Sequence, residues 1–115
     1  MLKLFIVFYI LLVTTQLQAR FNYSERGIKT YLKLCKRCHH NPYKGASMLR
    51  NKQWKTLFKE GDKKILKIHA KNKKALKVFH KSYYKNRRRY LVKFLITSGS
   101  DSGVVPACDG NFCGD

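Results

Sequence analysis

The apolar residues of the chain recur with the spacing of α-helices, and no segment shows the strict alternation of a β-strand. The first stripe follows the pattern i, i+3, i+4 and i+7 and consists of Ile28, Tyr31, Leu32 and Cys35. Asn22, followed three residues later by Glu25, has the pattern of a capping box, so we expect this helix to begin at Asn22. The last stripe predicts a helix over Tyr84 to Thr97 that buries Tyr90, Leu91, Phe94 and Leu95. The basic residues expected on its solvent face are Arg87, Arg88 and Lys93.

Shorter helices are predicted for the middle of the chain. Residues 41–47 are expected to form a loop, because a proline and a glycine interrupt them. A helix over residues 51–59 would bury Trp54, Leu57 and Phe58. Asp62 is placed to cap the next helix, and another helix covers residues 74–81. The apolar cluster of the helix after Asp62 consists of Ile65, Leu66, Ile68 and His69. The chain is therefore expected to be all-α, with a coil tail over residues 99–115.

The first nineteen residues have the order of a secretory signal. Lys3 precedes an apolar run from Leu4 to Val13, and a more polar exit ends at Ala19. Ten apolar residues at about 1.5 Å each fall short of a hydrocarbon core of roughly 30 Å, which makes a membrane anchor the weaker interpretation. We expect cleavage after Ala19, export to the periplasm, and a single small domain over residues 20–98.

The charge of the chain is strongly positive and unevenly distributed. Residues 20–96 carry a formal charge of +21, since they hold 24 Lys and Arg and three acids. Such a charge favours solubility and steers the protein toward acidic surfaces, so we expect redox partners with an acidic docking surface or an anionic membrane surface. Nucleic acid is not expected as a partner, because export removes it and no recognition motif accompanies the charge.

Cys35-Lys36-Arg37-Cys38-His39 has the pattern of a c-type haem attachment site. Two thiols spaced about one helical turn apart can form thioether bonds with the two vinyl groups of a porphyrin, and the next imidazole then reaches the iron. A bare motif of this kind also occurs in redox dithiols and in half of a zinc site. Export, the absence of a second C-x-x-C motif and the helical pattern favour haem.

With these residues the sequence resembles the small monohaem class I cytochromes c. Gly27, Tyr31 and the attachment motif stand at the spacing of that family's N-terminal helix. Leu91 and Phe94 match the apolar and aromatic residues of its C-terminal helix, which packs against the glycine. The resemblance implies a helical domain around one covalent haem c, with His39 as the proximal ligand and electron transfer as the function.

The sixth ligand is where the chain departs from that family. No methionine stands shortly before the last helix, and Met48 is the only one after residue 19. We therefore favour His69 as the distal ligand, with Met48 as second choice and His80 as third, while an open position remains an alternative. His40 directly follows the proximal ligand and cannot reach the opposite face. Methionine ligation would raise the iron potential relative to two imidazoles.

The sequence thus predicts an electron carrier rather than an enzyme, because no carboxylate pair or nucleophile with a base is recognisable. The alternatives are a five-coordinate haem protein that binds a small gas or peroxide, of which peroxidase-like activity would be one form, and a thiol-disulfide protein that uses Cys35 and Cys38. Cys108 and Cys113 are expected to close a small disulfide loop in an oxidising compartment.

Overall fold

The computed structural model describes the backbone of residues 1–103 and the side chains of residues 1–13 and 24–103. Within this part of the chain every regular element is a helix, which confirms the all-α class. The elements are α1 (Leu2–Leu34), α2 (Pro42–Ala46), α3 (Asn51–Leu57), α4 (Lys63–Ile68), α5 (Lys73–His80) and α6 (Ser82–Thr97). The expected Cys108–Cys113 disulfide lies outside the described residues.

Helix α1 corrects the predicted beginning of the first helix. Its backbone continues from Leu2 to Leu34, so Asn22 lies inside the helix and not at its N-cap. Between Leu2 and Leu34 the sequence contains no proline, and its one glycine is Gly27. The continuous helix propensity of this segment therefore outweighs the local capping pattern at Asn22. Among the helices that the structure describes, none combines the length and apolar composition needed to span a membrane.

Helices α1 and α6 share the most extensive contact of any two described helices. A Cβ atom added to Gly27 would lie 2.5 Å from both the Cβ of Phe94 and the carbonyl oxygen of Tyr90, so glycine is what lets α1 cross α6 so closely. This is the helix contact that the family resemblance implies. Tyr31 and Phe94 are 2% and 1% exposed and meet edge to face with ring centroids 6.2 Å apart. The remaining buried apolar side chains are Ala46, Trp54, Phe58, Ile65, Tyr84, Tyr90, Leu91 and Leu95.

The middle of the chain folds into short helices around this pair. The predicted loop over residues 41–47 is wrong, because Asn41 caps α2 by accepting a hydrogen bond from the Lys44 amide and Pro42 occupies the first turn. Trp54 in α3 donates a hydrogen bond to the carbonyl of Ala46 over 2.7 Å. Helix α5 contains no buried residue. Two residues depart from the predicted burial here, since Leu57 is half-buried and Ile68 is 64% exposed.

Candidate functional site

The Cys-x-x-Cys-His motif lies at the C-terminal end of α1. Cys35 is the C-cap of the helix, and its carbonyl accepts hydrogen bonds from the amides of Cys38 and His39 at 3.2 and 2.9 Å. This turn keeps the two thiols about one helical turn apart, with Cys35 half-buried and Cys38 exposed. Lys36 and Arg37 face solvent between them. The motif therefore has the spacing and exposure that attachment to a group on the surface of the helix requires.

The environment of Cys35 opposes a role as a reactive thiolate. Burial, followed by the proximity of Cys38, raises the pKa of the Cys35 thiol to about 12. Its place at the carbonyl end of a helix acts in the same direction, because redox-active cysteines are usually activated by the positive end of a helix. A protonated thiol is a weak nucleophile, so Cys35 lacks the activation that disulfide exchange needs.

A buried tyrosine fixes the segment that follows the motif. Tyr31 donates a hydrogen bond from its hydroxyl to the carbonyl of His40 over 2.9 Å. Gly45 makes room for this side chain, because a Cβ at that position would collide with the Tyr31 hydroxyl. Helix α1 therefore holds the chain on both sides of His39, through Cys35 before it and through Tyr31 after it.

The rings of His39 and His69 lie in contact although thirty residues separate them in the sequence. Their ring centroids are 6.0 Å apart and the ring planes stand at 84°. A metal bound by an imidazole on each side needs about 2 Å for each metal–nitrogen bond. Two such bonds take up about 4 Å of the 6.0 Å between the ring centroids, so about 1 Å remains for each ring. This remainder is close to the distance from an imidazole nitrogen to the centre of its ring. The spacing of the two rings thus fits one metal ion between them.

His69 is held in the orientation that a ligand needs. It follows the last residue of α4, and its Nδ1 donates a hydrogen bond to the carbonyl of Ile65 over 2.8 Å. Because a carbonyl oxygen only accepts, Nδ1 carries a proton, which leaves Nε2 as the nitrogen that can bind a metal. Such a second hydrogen bond typically orients a metal-bound histidine. Phe79 of α5 supports the ring from another side, with centroids 5.2 Å apart.

The protonation state of His39 also suits ligation. Partial desolvation, followed by the proximity of His69 and His40, lowers its pKa below the usual range. The ring is therefore neutral at pH 7, and a neutral imidazole is the form that binds a metal.

A buried ion pair anchors the turn that leads to His69. Glu60, Gly61 and Asp62 have φ angles of 55°, 63° and 67°, a left-handed run that only glycine adopts without cost. The Asp62 carboxylate accepts hydrogen bonds from Arg88 at 2.6 and 2.9 Å and from the Tyr84 hydroxyl at 2.9 Å. Asp62 is the N-cap residue of α4, as predicted, but its side chain makes no capping hydrogen bond because it pairs with Arg88. The prediction that Arg88 faces solvent is wrong. In a basic protein with few acids, the two residues pair across the fold instead.

The same cluster reaches His69 through aromatic rings. Phe79 lies between His69 and Tyr84, and its centroid is 5.0 Å from that of Tyr84. The Asp62–Arg88 pair is thus connected to His69 in two ways: along the backbone of α4, and through the ring contacts of Tyr84 with Phe79 and of Phe79 with His69. Neither connection was predicted from the sequence. The sequence signal that could have indicated these connections is Asp62 itself, an acidic residue after which no other acid occurs before Asp101.

The other candidate ligands lie elsewhere. Met48 follows α2 with its side chain 45% exposed. His80 is exposed at the end of α5 and borders a cavity of about 290 Å³ beside Tyr84 and Arg88. No group of three or more His, Cys, Asp or Glu that could hold a metal ion occurs among the side chains described. The site thus consists of the neighbouring imidazoles of His39 and His69 and of the two thiols that precede His39 in the motif. These donors fit a haem, whose porphyrin supplies the remaining ligands of its iron.

Comparison of the chain with models of protein families, with curated protein sequences and with solved structures finds no match.

Proposed function

We propose that this protein is a periplasmic c-type cytochrome that carries electrons through one haem. The haem would be attached to Cys35 and Cys38 and ligated by His39 and His69. The observation that carries the proposal is the contact of the His69 ring with the histidine of the Cys-x-x-Cys-His motif, His39, at a centroid distance of 6.0 Å. A bound haem supplies one-electron transfer at its iron.

The side chains around the site define what the polypeptide contributes. The Ile65 carbonyl keeps the proton of His69 on Nδ1, and the Asp62–Arg88 pair secures the turn before α4. Ile68, which precedes His69 and is 64% exposed, is an apolar side chain available to cover an apolar ring system. Two imidazoles favour the oxidised iron more than a histidine and a methionine do, so we expect a low-potential carrier.

Two alternatives are less well supported. The elevated pKa of Cys35 and its place at the C-terminal end of α1 oppose thiol-disulfide exchange. A five-coordinate haem that binds a gas or peroxide would need an open position on its iron, and the ring of His69, 6.0 Å from that of His39, favours a second imidazole ligand instead.

The direct test is the purified protein from a host with c-type haem maturation. We expect a mass equal to the polypeptide from Arg20 onward plus one haem, and a low-spin spectrum in both oxidation states. His69→Ala should give a high-spin iron that binds carbon monoxide when reduced, and His69→Met should raise the potential. Met48→Ala and His80→Ala are the matched controls and should leave the spectrum unchanged. A bare polypeptide mass would contradict the proposal, and an unchanged His69→Ala spectrum would exclude His69 as the ligand.

The basic surface supports an acidic redox partner, with anionic lipid as the second candidate. Exposed lysines flank His69 on the two adjoining helices, at Lys63, Lys64, Lys67, Lys73, Lys74 and Lys77. Transient redox interfaces are small, and steering by charge dominates their association rates. Stopped-flow reduction should therefore slow steeply as salt rises past about 0.1 M, where screening acts within about 10 Å. A rate that does not fall with salt would contradict this docking proposal.

A further inference from the structure

The crossing of α1 and α6 concentrates positive charge around two tyrosines. Tyr83 and Tyr90 lie seven residues apart on α6, and each ring is covered by one cation from α1 and one from α6. The cations over Tyr83 are Lys33 and Arg87, and those over Tyr90 are Arg26 and Arg89. Such stacking holds a charged side chain in place.

The two arginines at Tyr90 also converge on one atom. Arg26 donates a hydrogen bond from Nη1 to the Tyr90 hydroxyl oxygen over 2.8 Å, and Arg89 donates from Nη2 over 2.7 Å. Because both bonds end on the same oxygen, the distance between Nη1 of Arg26 and Nη2 of Arg89 cannot exceed the sum of the two bond lengths. Tyr90 itself is only 6% exposed, whereas both arginines reach solvent. Two guanidinium groups from different helices are thus fixed side by side at the surface.

No carboxylate balances this pair within the described part of the chain. The ion pairs found there join Lys29 to Glu25 and Arg88 to Asp62, and neither includes Arg26 or Arg89. Like charges at such close range repel each other, and a bound anion would remove the repulsion. The hydrogen bonds from Arg89 and Arg26 lower the pKa of the Tyr90 phenol, which reflects the same positive potential.

We propose that Arg26 and Arg89 form a binding site for a phosphate group at the crossing of α1 and α6. Guanidinium groups match the geometry of phosphate oxygens and can bind them in a bidentate manner. The Tyr90 ring keeps both groups oriented before the anion arrives, which reduces the entropy lost on binding. The phosphate group can belong to free phosphate or to a phospholipid headgroup. The site does not involve the haem ligands, so it stands independently of the proposed electron transfer.

The test uses the purified mature protein and two probes. Inorganic phosphate is titrated while backbone amide shifts are followed by NMR, and flotation is measured with phosphatidylglycerol-containing vesicles against phosphatidylcholine vesicles. Arg89→Gln should weaken binding of the effective probe at least tenfold, and Arg26→Gln should do the same. Arg87→Gln removes an equal charge from the same helix and should weaken binding less than twofold.

The outcomes separate the two sources and decide the proposal. Saturable shifts at residues 26, 89 and 90 with inorganic phosphate, lost in Arg89→Gln, support a site for free phosphate. Vesicle binding that is lost in Arg89→Gln, without a saturable response to inorganic phosphate, supports a headgroup site. Equal weakening by Arg89→Gln and Arg87→Gln would show that net charge alone attracts the probes and would overturn the proposal. The absence of any response to either probe would overturn it as well.

Discussion

The pair of terminal helices and the segment between them are held together in different ways. Helices α1 and α6 meet through Gly27 and Phe94, and their buried aromatic side chains interlock. Residues 48–81 instead form three short helices, of which α5 buries no residue. Three side chains of that segment, Trp54, Phe58 and Ile65, enter the core, and polar contacts secure the rest at a few points: Trp54 to Ala46, and Asp62 to Arg88. The terminal pair is stabilised by its own packing, whereas the middle segment depends on anchors, of which the proposed haem would be one.

The largest effect is expected when the haem is withheld. In a Cys35→Ser/Cys38→Ser double variant that carries no haem, the amides of residues 48–81 should lose most of their protection from hydrogen exchange. Those of residues 27–34 and 90–97 should stay protected, because their packing does not involve the site. Equal loss of protection in both regions would show that the terminal helices also depend on the haem.

The next largest effect concerns the anchor at Asp62. Asp62→Ala leaves Arg88 without its carboxylate and should lower the free energy of unfolding by about 3 kcal/mol, near the lower end for a buried pair. The lower end applies because the Arg88 side chain is 35% exposed. Urea denaturation measures the change. Glu60→Ala is the matched control, since Glu60 is an acid with a similar positive φ but is exposed. Equal losses in both variants would assign the effect to the backbone and not to the ion pair.

A smaller effect is expected where the terminal helices cross. Gly27→Val places side-chain atoms where Phe94 and the Tyr90 carbonyl already lie, so the helices must separate. Overpacking of this kind should cost about 2 kcal/mol. Thermal or urea unfolding gives the value, with Ser24→Val, at an exposed position of α1, as control. A loss no greater than that of the control would mean that the crossing is looser than the structure has it.

The comparison also explains which features were predictable from the sequence. The stripes of α1 and α6 follow from periodic apolar residues, whereas the contact at Gly27 was expected only from the family resemblance; the structure has both. The N-terminal limit of α1 was wrong, because a capping pattern competes with an uninterrupted helical run. In the middle segment, α2 was missed because Asn41 and Pro42 were interpreted as loop residues and not as a helix start.

The candidate site likewise contains features that were predictable from the sequence and one that was not. The attachment motif is local in sequence, and its spacing alone identifies it. The choice of His69 over Met48 and His80 rested on apolar periodicity, and the structure brings the rings of His69 and His39 to a centroid distance of 6.0 Å. The pairing of Asp62 with Arg88 was not predictable, because it joins residues 26 positions apart through a turn of left-handed backbone that periodicity does not describe.

The smallest effect is expected from removing one hydroxyl of the Asp62 anchor. Burial, followed by the hydrogen bond to Asp62, raises the pKa of Tyr84 above its usual range. Tyr84→Phe should cost about 1 kcal/mol at pH 7, because one hydrogen bond is lost while Arg88 still pairs with the carboxylate.

This difference between wild type and Tyr84→Phe should change with pH in one direction only. In the unfolded chain the phenol ionises near pH 10, whereas the native Tyr84 keeps its proton well above that value. Above about pH 10 the unfolded state therefore binds fewer protons than the native state, and the wild type loses about 1.4 kcal/mol of stability per pH unit from this residue. Tyr84→Phe lacks this loss, while the ionisation of other tyrosines and lysines affects both proteins alike. The two stabilities, measured by urea denaturation from pH 7 to 11.5, should thus converge and cross at about pH 11. A difference that stays constant over this range would show that Tyr84 ionises as easily in the folded protein as in the unfolded chain, and would contradict the raised pKa expected for a buried phenol that donates to Asp62.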